Sequence, residues 1–275
     1  MKNFLCPSNY FSSSEIECVN SEYWNSRALA IHKEHWKIFA VSAFCTQQCL
    51  ELRENGHIIY KLDTRSLASF FLPKINEYRR SLEKANKIAS SIPVTDIEFS
   101  ISKHWFESRC VGLHSIFSEY YQGDWSLEVI RIFVAISAQD LSLYPLPSSY
   151  YWHRDSDGHS IKIWLPIASD GADPPYTSFI NGSHVQPPIP QNWEMYRANP
   201  DINMKQKLTS IIDDRLSHSK DYVTNRHYIN SPSDPGLFVF NTNLIHKGNY
   251  LGQSSSFRAL LEFQVNSKNF LQLLR

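Results

Sequence analysis

SLEVIRIFVAIS (residues 126–137) decides how the rest of the chain is read. Its β-branched and aromatic residues follow one another almost without a break, the pattern of a strand buried on both faces. Beyond it, strand-like runs alternate with turn residues: SIKIWLPIAS, YTSFI, GLFVFNT and RALLEFQVN. Before it, the apolar residues recur mostly at helical spacing. A chain that is helical first and β later points to an α+β or mainly β fold. The β half suits a jelly roll, a cupin-like double-stranded β-helix, with the N-terminal helices packed on one of its two sheets.

Working outward, residues 1–44 read as an N-terminal extension and 45–275 as one domain. A helical pattern runs from Ser26 to Leu52, with Leu29, His32, Trp36, Phe39 and Ala40 near i, i+3, i+4 spacing. Gly56 punctuates it, and His57–Tyr60 reads as a short strand. Residues 66–90 predict a helix interrupted or restarted at Pro73. A second helix is expected over 104–122. Asn181-Gly182-Ser183 reads as a turn. The polar, proline-bearing segment at about 185–234 reads as a lid insertion with a helix around 201–219.

The 275 residues are 42% hydrophobic and 13% aromatic, enough for a large core. Net charge is zero, which argues against a nucleic-acid surface and for a small-molecule substrate as partner. No stretch is long and apolar enough to span a bilayer, so no membrane partner is expected. The oligomeric state is left open. Five cysteines, an odd number without a leader sequence before them, point to free thiols and a cytoplasmic setting. Cys45 and Cys49 can share a helix face, as a buried pair or as a metal pair. The many aromatic residues suggest an apolar or aromatic-lined pocket.

The chemistry-bearing cluster is Tyr151-Trp152-His153-Arg154-Asp155. On an extended segment, His153 and Asp155 point to the same face and can grip one divalent metal. A third ligand is His246, shortly after GLFVFNT. Two histidines and a carboxylate leave open positions on iron(II) for a keto acid and dioxygen. Arg258, twelve residues further on, starts another strand. Its planar fork suits the far carboxylate of a keto acid.

These pieces, in this order, resemble the phytanoyl-CoA dioxygenase family. Glu54–Ile59 is similar to that family's opening segment, Trp152–Asp155 to its first metal motif, Phe179–His184 to its strand-turn segment, and Pro235–His246 to the strand leading to its distal histidine. The resemblance covers roughly residues 50–265. It implies Fe(II), 2-oxoglutarate and O2, with His153, Asp155 and His246 as metal ligands and Arg258 on 2-oxoglutarate. It also implies hydroxylation of an unactivated C–H in a metabolite or acyl-type substrate, with release of succinate and CO2. Desaturation, cyclisation, epimerisation and a non-catalytic jelly-roll binding protein are the alternatives. The chain departs from the family at Asn181, where proline is usual, and at Gly248, where some members carry a hydroxyl that Ser255 or Ser256 would have to replace.

Lys162, on the strand after the metal motif, either reaches the keto acid or a substrate carboxylate or lies on a solvated face. Arg131, a charge inside an apolar run, requires a partner and is a candidate substrate residue. Tyr150 and Tyr151, with Tyr144, are candidates for the substrate entrance. His184 reads as a structural residue of its turn. Three other motifs fail on spacing: His153-Arg154-Asp155 lacks the kinase loop's asparagine, Asp155–Gly158 lacks a closing calcium-site glutamate, and His32–His35 is not a zinc-protease helix.

Overall fold

The computed structural model describes residues 45–153, 155, 160–171, 174–185, 224–227, 236–252 and 256–268. The expected extension, the helix around 201–219, and Cys6 and Cys18 lie outside these residues.

Helix α1 (Gln47–Asn55) starts where the Thr46 hydroxyl accepts the Cys49 N–H and stops at Gly56, whose φ is +79°. A Cβ at position 56 would run into the His184 ring and Leu244, so only glycine fits. Strand β1 (His57–Tyr60) follows as expected. Helix α2 (Arg65–Lys84) is continuous through Pro73, against the expected interruption. Leu67, Phe71, Ile75 and Leu82 are buried on one side. Pro73 and Ser69 lie on the exposed side, where water can satisfy the Ser69 carbonyl that loses its donor. The apolar stripe outweighs the proline.

The end of the predicted helix is instead strand β2 (Ala89–Pro93), on a sheet edge where a proline is tolerated. The single helix expected over 104–122 is two, α3 (Asp96–Arg109) and α4 (Val111–Tyr121), broken at Cys110. Helix α3 begins eight residues earlier than expected. Thr95 and Glu98 form a capping box that sets its start.

The strands after Gly123 are β3 (Trp125–Ile136), β4 (Ile161–Asp170), β5 (Tyr176–Ile180), β6 (Thr224–His227), β7 (Leu237–Asn241), β8 (His246–Asn249) and β9 (Phe257–Ser267). They form a six-stranded sheet ordered β1-β7-β4-β9-β3-β2 and a three-stranded sheet ordered β6-β5-β8, both antiparallel. Strand β6 falls inside the segment expected to be a lid. The two sheets face each other as a jelly roll, with Trp164, Phe179, Phe238, Phe240, Leu244 and Leu260 packed between them. The helices cover the outer face of the large sheet, and α2 lies against β3 and β4.

Alternation along three central strands positions the site. In β4, Ile161, Ile163, Leu165 and Ile167 join the helix-side core, while Lys162 and Trp164 face inward. In β9, Leu261, Phe263 and Val265 face the helices, while Arg258 and Glu262 face inward. In β3, Ile130, Ile132 and Val134 face the helices, while Arg131 and Phe133 face inward. Pro166 sits in a central strand because the β4–β9 register shifts between Pro166 and Ala168, a bulge that spares a ladder bond.

The capping box gives a direct check on α3. Thr95→Ala is expected to destabilise the protein by about 1 kcal/mol. It should appear as a lower urea midpoint with an unchanged denaturant slope.

Candidate metal centre and its cavity

His153 and His246 are placed by the backbone itself. The His153 N–H donates to the His246 carbonyl at 2.9 Å, and the His246 N–H donates back at 3.0 Å. This reciprocal pair sets the two residues opposite each other, with ring centroids 4.4 Å apart. Each ring is then oriented by its own chain. His153 Nδ1 donates to the Tyr151 carbonyl at 2.7 Å, and His246 Nδ1 donates to the Leu244 carbonyl at 2.8 Å. With Nδ1 carrying the proton, Nε2 of each ring is left as a lone-pair donor.

The Asp155 carboxylate closes the set. Its Oδ1 lies 3.5 Å from His153 Nε2, and its Oδ2 lies 3.4 Å from His246 Nε2. The Asp155 N–H is held by the Thr242 carbonyl at 2.9 Å. All three ligand atoms fall within 4.8 Å of one another, as one divalent ion requires. Burial drives the His246 imidazole down to about 4, although Asp155 opposes the shift. It is therefore neutral at ordinary pH, the form that binds metal. Burial pushes the Asp155 carboxyl up, but Lys162 and the two histidines more than offset this and hold it well below the usual range.

These three residues line a cavity of about 430 Å³ between the sheets. Lys162, Arg131 and Arg258 line it too. Lys162 is not on a solvated face. Its side chain is buried, with Nζ 2.8 Å from Asp155 Oδ2 and 3.4 Å from Glu262 Oε1. Burial alone would lower this amine, but the two carboxylates raise it, so it stays charged. Arg131 has the partner its position demanded: it holds Glu262 Oε1 at 2.7 Å, while Trp164 Nε1 donates to Oε2 at 2.9 Å. Arg258 is almost fully buried. Its Nη2 donates to Thr177 Oγ1 at 3.2 Å, and its Nε and Nη1 have no hydrogen-bond partner among the described residues. Burial pushes it down to about 10, so it remains a cation with unused donors.

Tyr144, Tyr150 and Tyr151 do not line the cavity among the described residues. Tyr151 is buried and serves through its carbonyl, under His153. The tyrosine that does reach the cavity is Tyr250, whose hydroxyl pairs with Ser149 at 2.6 Å. Gly248 makes this possible, since a Cβ there would overlap the Tyr250 phenol. Ser256 does not line the cavity, and Ser255 lies outside the described residues. The pocket expected to be apolar or aromatic-lined has Phe133, Trp164 and Tyr250 in its wall, but charged and hydroxyl-bearing side chains stand beside them, and many other aromatic residues went into the core.

Two other groups are structural. His184 is buried and donates Nε2–H to the Arg53 carbonyl at 2.9 Å, near the end of α1. Cys45, Cys49 and Glu119 lie close together, but Glu119 already accepts the Thr46 N–H and hydroxyl, both at 2.8 Å. Burial pushes the Cys49 thiol far up, against the thiolate a metal needs.

No protein-family model and no curated protein matches the chain. Solved structures share its overall course. One is the non-heme alpha ketoglutarate dependent epimerase SnoN from nogalamycin biosynthesis, at 9% identity over 80% of this chain and 81% of that one, TM-score 0.46. A second is EctD from S. alaskensis with 2-oxoglutarate and 5-hydroxyectoine, at 15% over 83% and 77%, TM-score 0.49. A third is the non-heme alpha ketoglutarate dependent carbocyclase SnoK, also from nogalamycin biosynthesis, at 11% over 84% and 85%, TM-score 0.48. No described helix is long and apolar enough to cross a membrane.

Two outcomes follow from the geometry. Loss of an outer-sphere partner typically costs a metal site about 10–100-fold in affinity. His246→Ala, which removes a ligand outright, should cost more than that in Mn(II) titrations of the folded protein. Gly248→Ser should displace Tyr250 and destabilise the fold by about 1–3 kcal/mol, the usual cost of overpacking, read from thermal unfolding.

Proposed function

We propose that this chain is an Fe(II)- and 2-oxoglutarate-dependent dioxygenase that hydroxylates an unactivated C–H of a small molecule. One observation carries the reading. A two-histidine, one-carboxylate donor set shares a cavity with a buried arginine that has two unused nitrogens. The donor set suits iron(II) and leaves coordination positions open. The arginine suits the distal carboxylate of a dicarboxylic keto acid. Bound iron and 2-oxoglutarate, with dioxygen, would supply the oxidising chemistry and release succinate and CO2.

The protein's own residues divide the remaining work. His153 and His246 offer Nε2 because their Nδ1–H groups are tied to backbone carbonyls. Asp155 contributes one negative charge to the metal. Arg258 anchors the co-substrate at the far end, with Thr177 fixing its guanidinium. The aromatic layer of Trp164, Phe238 and Phe240 excludes water behind the site. The resemblance to the phytanoyl-CoA dioxygenase family, carried by the order of the same motifs, supports the assignment.

Anaerobic addition of Fe(II) and then 2-oxoglutarate is expected to give a weak visible charge-transfer band, and air should then yield succinate. A chain that binds neither compound would exclude the assignment. Arg258→Gln should keep metal binding but weaken 2-oxoglutarate by roughly 100-fold, since each hydrogen bond to a charged group is worth about 1.5–3 kcal/mol. An unchanged 2-oxoglutarate affinity in that variant would take Arg258 out of the site.

A further inference from the structure

The cavity holds charge beyond what iron and 2-oxoglutarate would use. Its described lining carries three cations, Arg131, Lys162 and Arg258, and two carboxylates, Asp155 and Glu262. A divalent metal and a dianionic keto acid would balance Asp155 and Arg258. What remains is Lys162, Glu262 and Arg131, a group with one net positive charge. We infer that the primary substrate is a polar small molecule bearing a single carboxylate, and that Arg131, steadied by Glu262, receives it. This rests on the dioxygenase reading and names the substrate class for the same site.

Placement supports the inference. On β9, Arg258 and Glu262 are four residues apart on one face, a Cα separation of about 13 Å. Arg131 lies directly opposite Glu262 in the β3–β9 register. Arg131 and Arg258 therefore mark two separate anion sites rather than one. Lys162 touches both Asp155 and Glu262, so the Arg131 end is the one next to the metal ligands. That is where a substrate must sit to present its C–H.

Accessibility separates the two arginines further. The Arg258 side chain is buried, whereas that of Arg131 is 40% exposed. Glu262 Oε1 takes Nε and Nη2 of Arg131, which among the described residues leaves Nη1 for a ligand. Such an arginine is held in place but not used up. The cavity lining also carries Ser91 on β2, opposite Phe133, and Ser148 and Ser149, with Ser149 paired to Tyr250. Beside the apolar wall of Phe133, Pro147 and Trp164, these hydroxyls offer partners to a hydroxylated or amino-bearing acid. A phosphate monoester, with nearly two charges, would over-neutralise the site.

The test uses the full chain loaded with Mn(II) and 2-oxoglutarate under nitrogen, so that binding is read without turnover. Polar monocarboxylates, each paired with its primary amide, are screened by thermal shift and calorimetry beside cationic compounds and phosphate monoesters of similar size. Monocarboxylates are expected to bind, with their amides at least tenfold weaker. Arg131→Gln should abolish that preference, Arg131→Lys should keep part of it, and both should bind 2-oxoglutarate as the wild type does. The inference is overturned if no monocarboxylate binds, if neutral, cationic or phosphorylated compounds bind as well as the acids, or if Arg131→Gln keeps the preference. Failure of 2-oxoglutarate to bind the wild type would instead remove the dioxygenase reading itself.

Discussion

The structure depends on the period-two alternation of β3, β4 and β9. These three neighbouring strands are buried on both faces. One face carries isoleucine, leucine, valine and phenylalanine to the helices; the other carries Arg131, Lys162, Trp164, Arg258 and Glu262 to the cavity. A register slip of one residue would reverse the two sets. Four charged groups would then be driven into an apolar layer, at several kcal/mol each. The site chemistry and the core thus enforce the same register. The charges inside the sheet sandwich thus act as a specificity device for the fold.

Those charges are balanced largely by one another. Glu262 is almost fully buried, yet Arg131, Lys162 and Trp164 all meet its carboxylate. Asp155 is met by Lys162 and the two histidines. Lys162 therefore serves as counter-ion to Asp155 before any metal arrives. Lys162 also meets Glu262, so its charge is shared between the two carboxylates. Asp155, Lys162, Glu262 and Arg131 thus form one continuous run of charge contacts along the cavity wall.

What the sequence made legible follows from how local each signal is. Strands β3, β4, β5, β7 and β9 were readable because their apolar runs are continuous or bounded by turn residues. His153 and Asp155 were readable because two-residue spacing on an extended segment is a local property. His246 and Arg258 needed the order of motifs, since nothing local distinguishes them. Strand β8 was missed because HKGN has no apolar alternation; it is held by its pairing with β5 and by the bridge to His153. Strand β2 was hidden in what looked like the tail of a helix. The unbroken run of α2 through Pro73 reflects tertiary burial overriding a local breaker. The capping box at Thr95 and Glu98 is a local signal in the sequence that marks the start of α3.

The side chains around the metal ligands show the same limit from another direction. Lys162 alternates with isoleucines, which fits a solvated face as well as a sandwich interior. Only the second sheet, supplied by distant residues, decides between them. Tyr250 enters the cavity because Gly248 leaves room two positions earlier, a complementarity between neighbours at the end of β8 that no periodicity reports. Composition misled in the same way. Aromatic residues were plentiful enough to suggest an apolar pocket, yet a jelly roll covered by helices needs two apolar layers, one under the helices and one between the sheets, and these absorb them. The charged residues that the two apolar layers cannot accept then collect in the cavity wall, beside Phe133 and Trp164, and overall hydrophobicity does not report them.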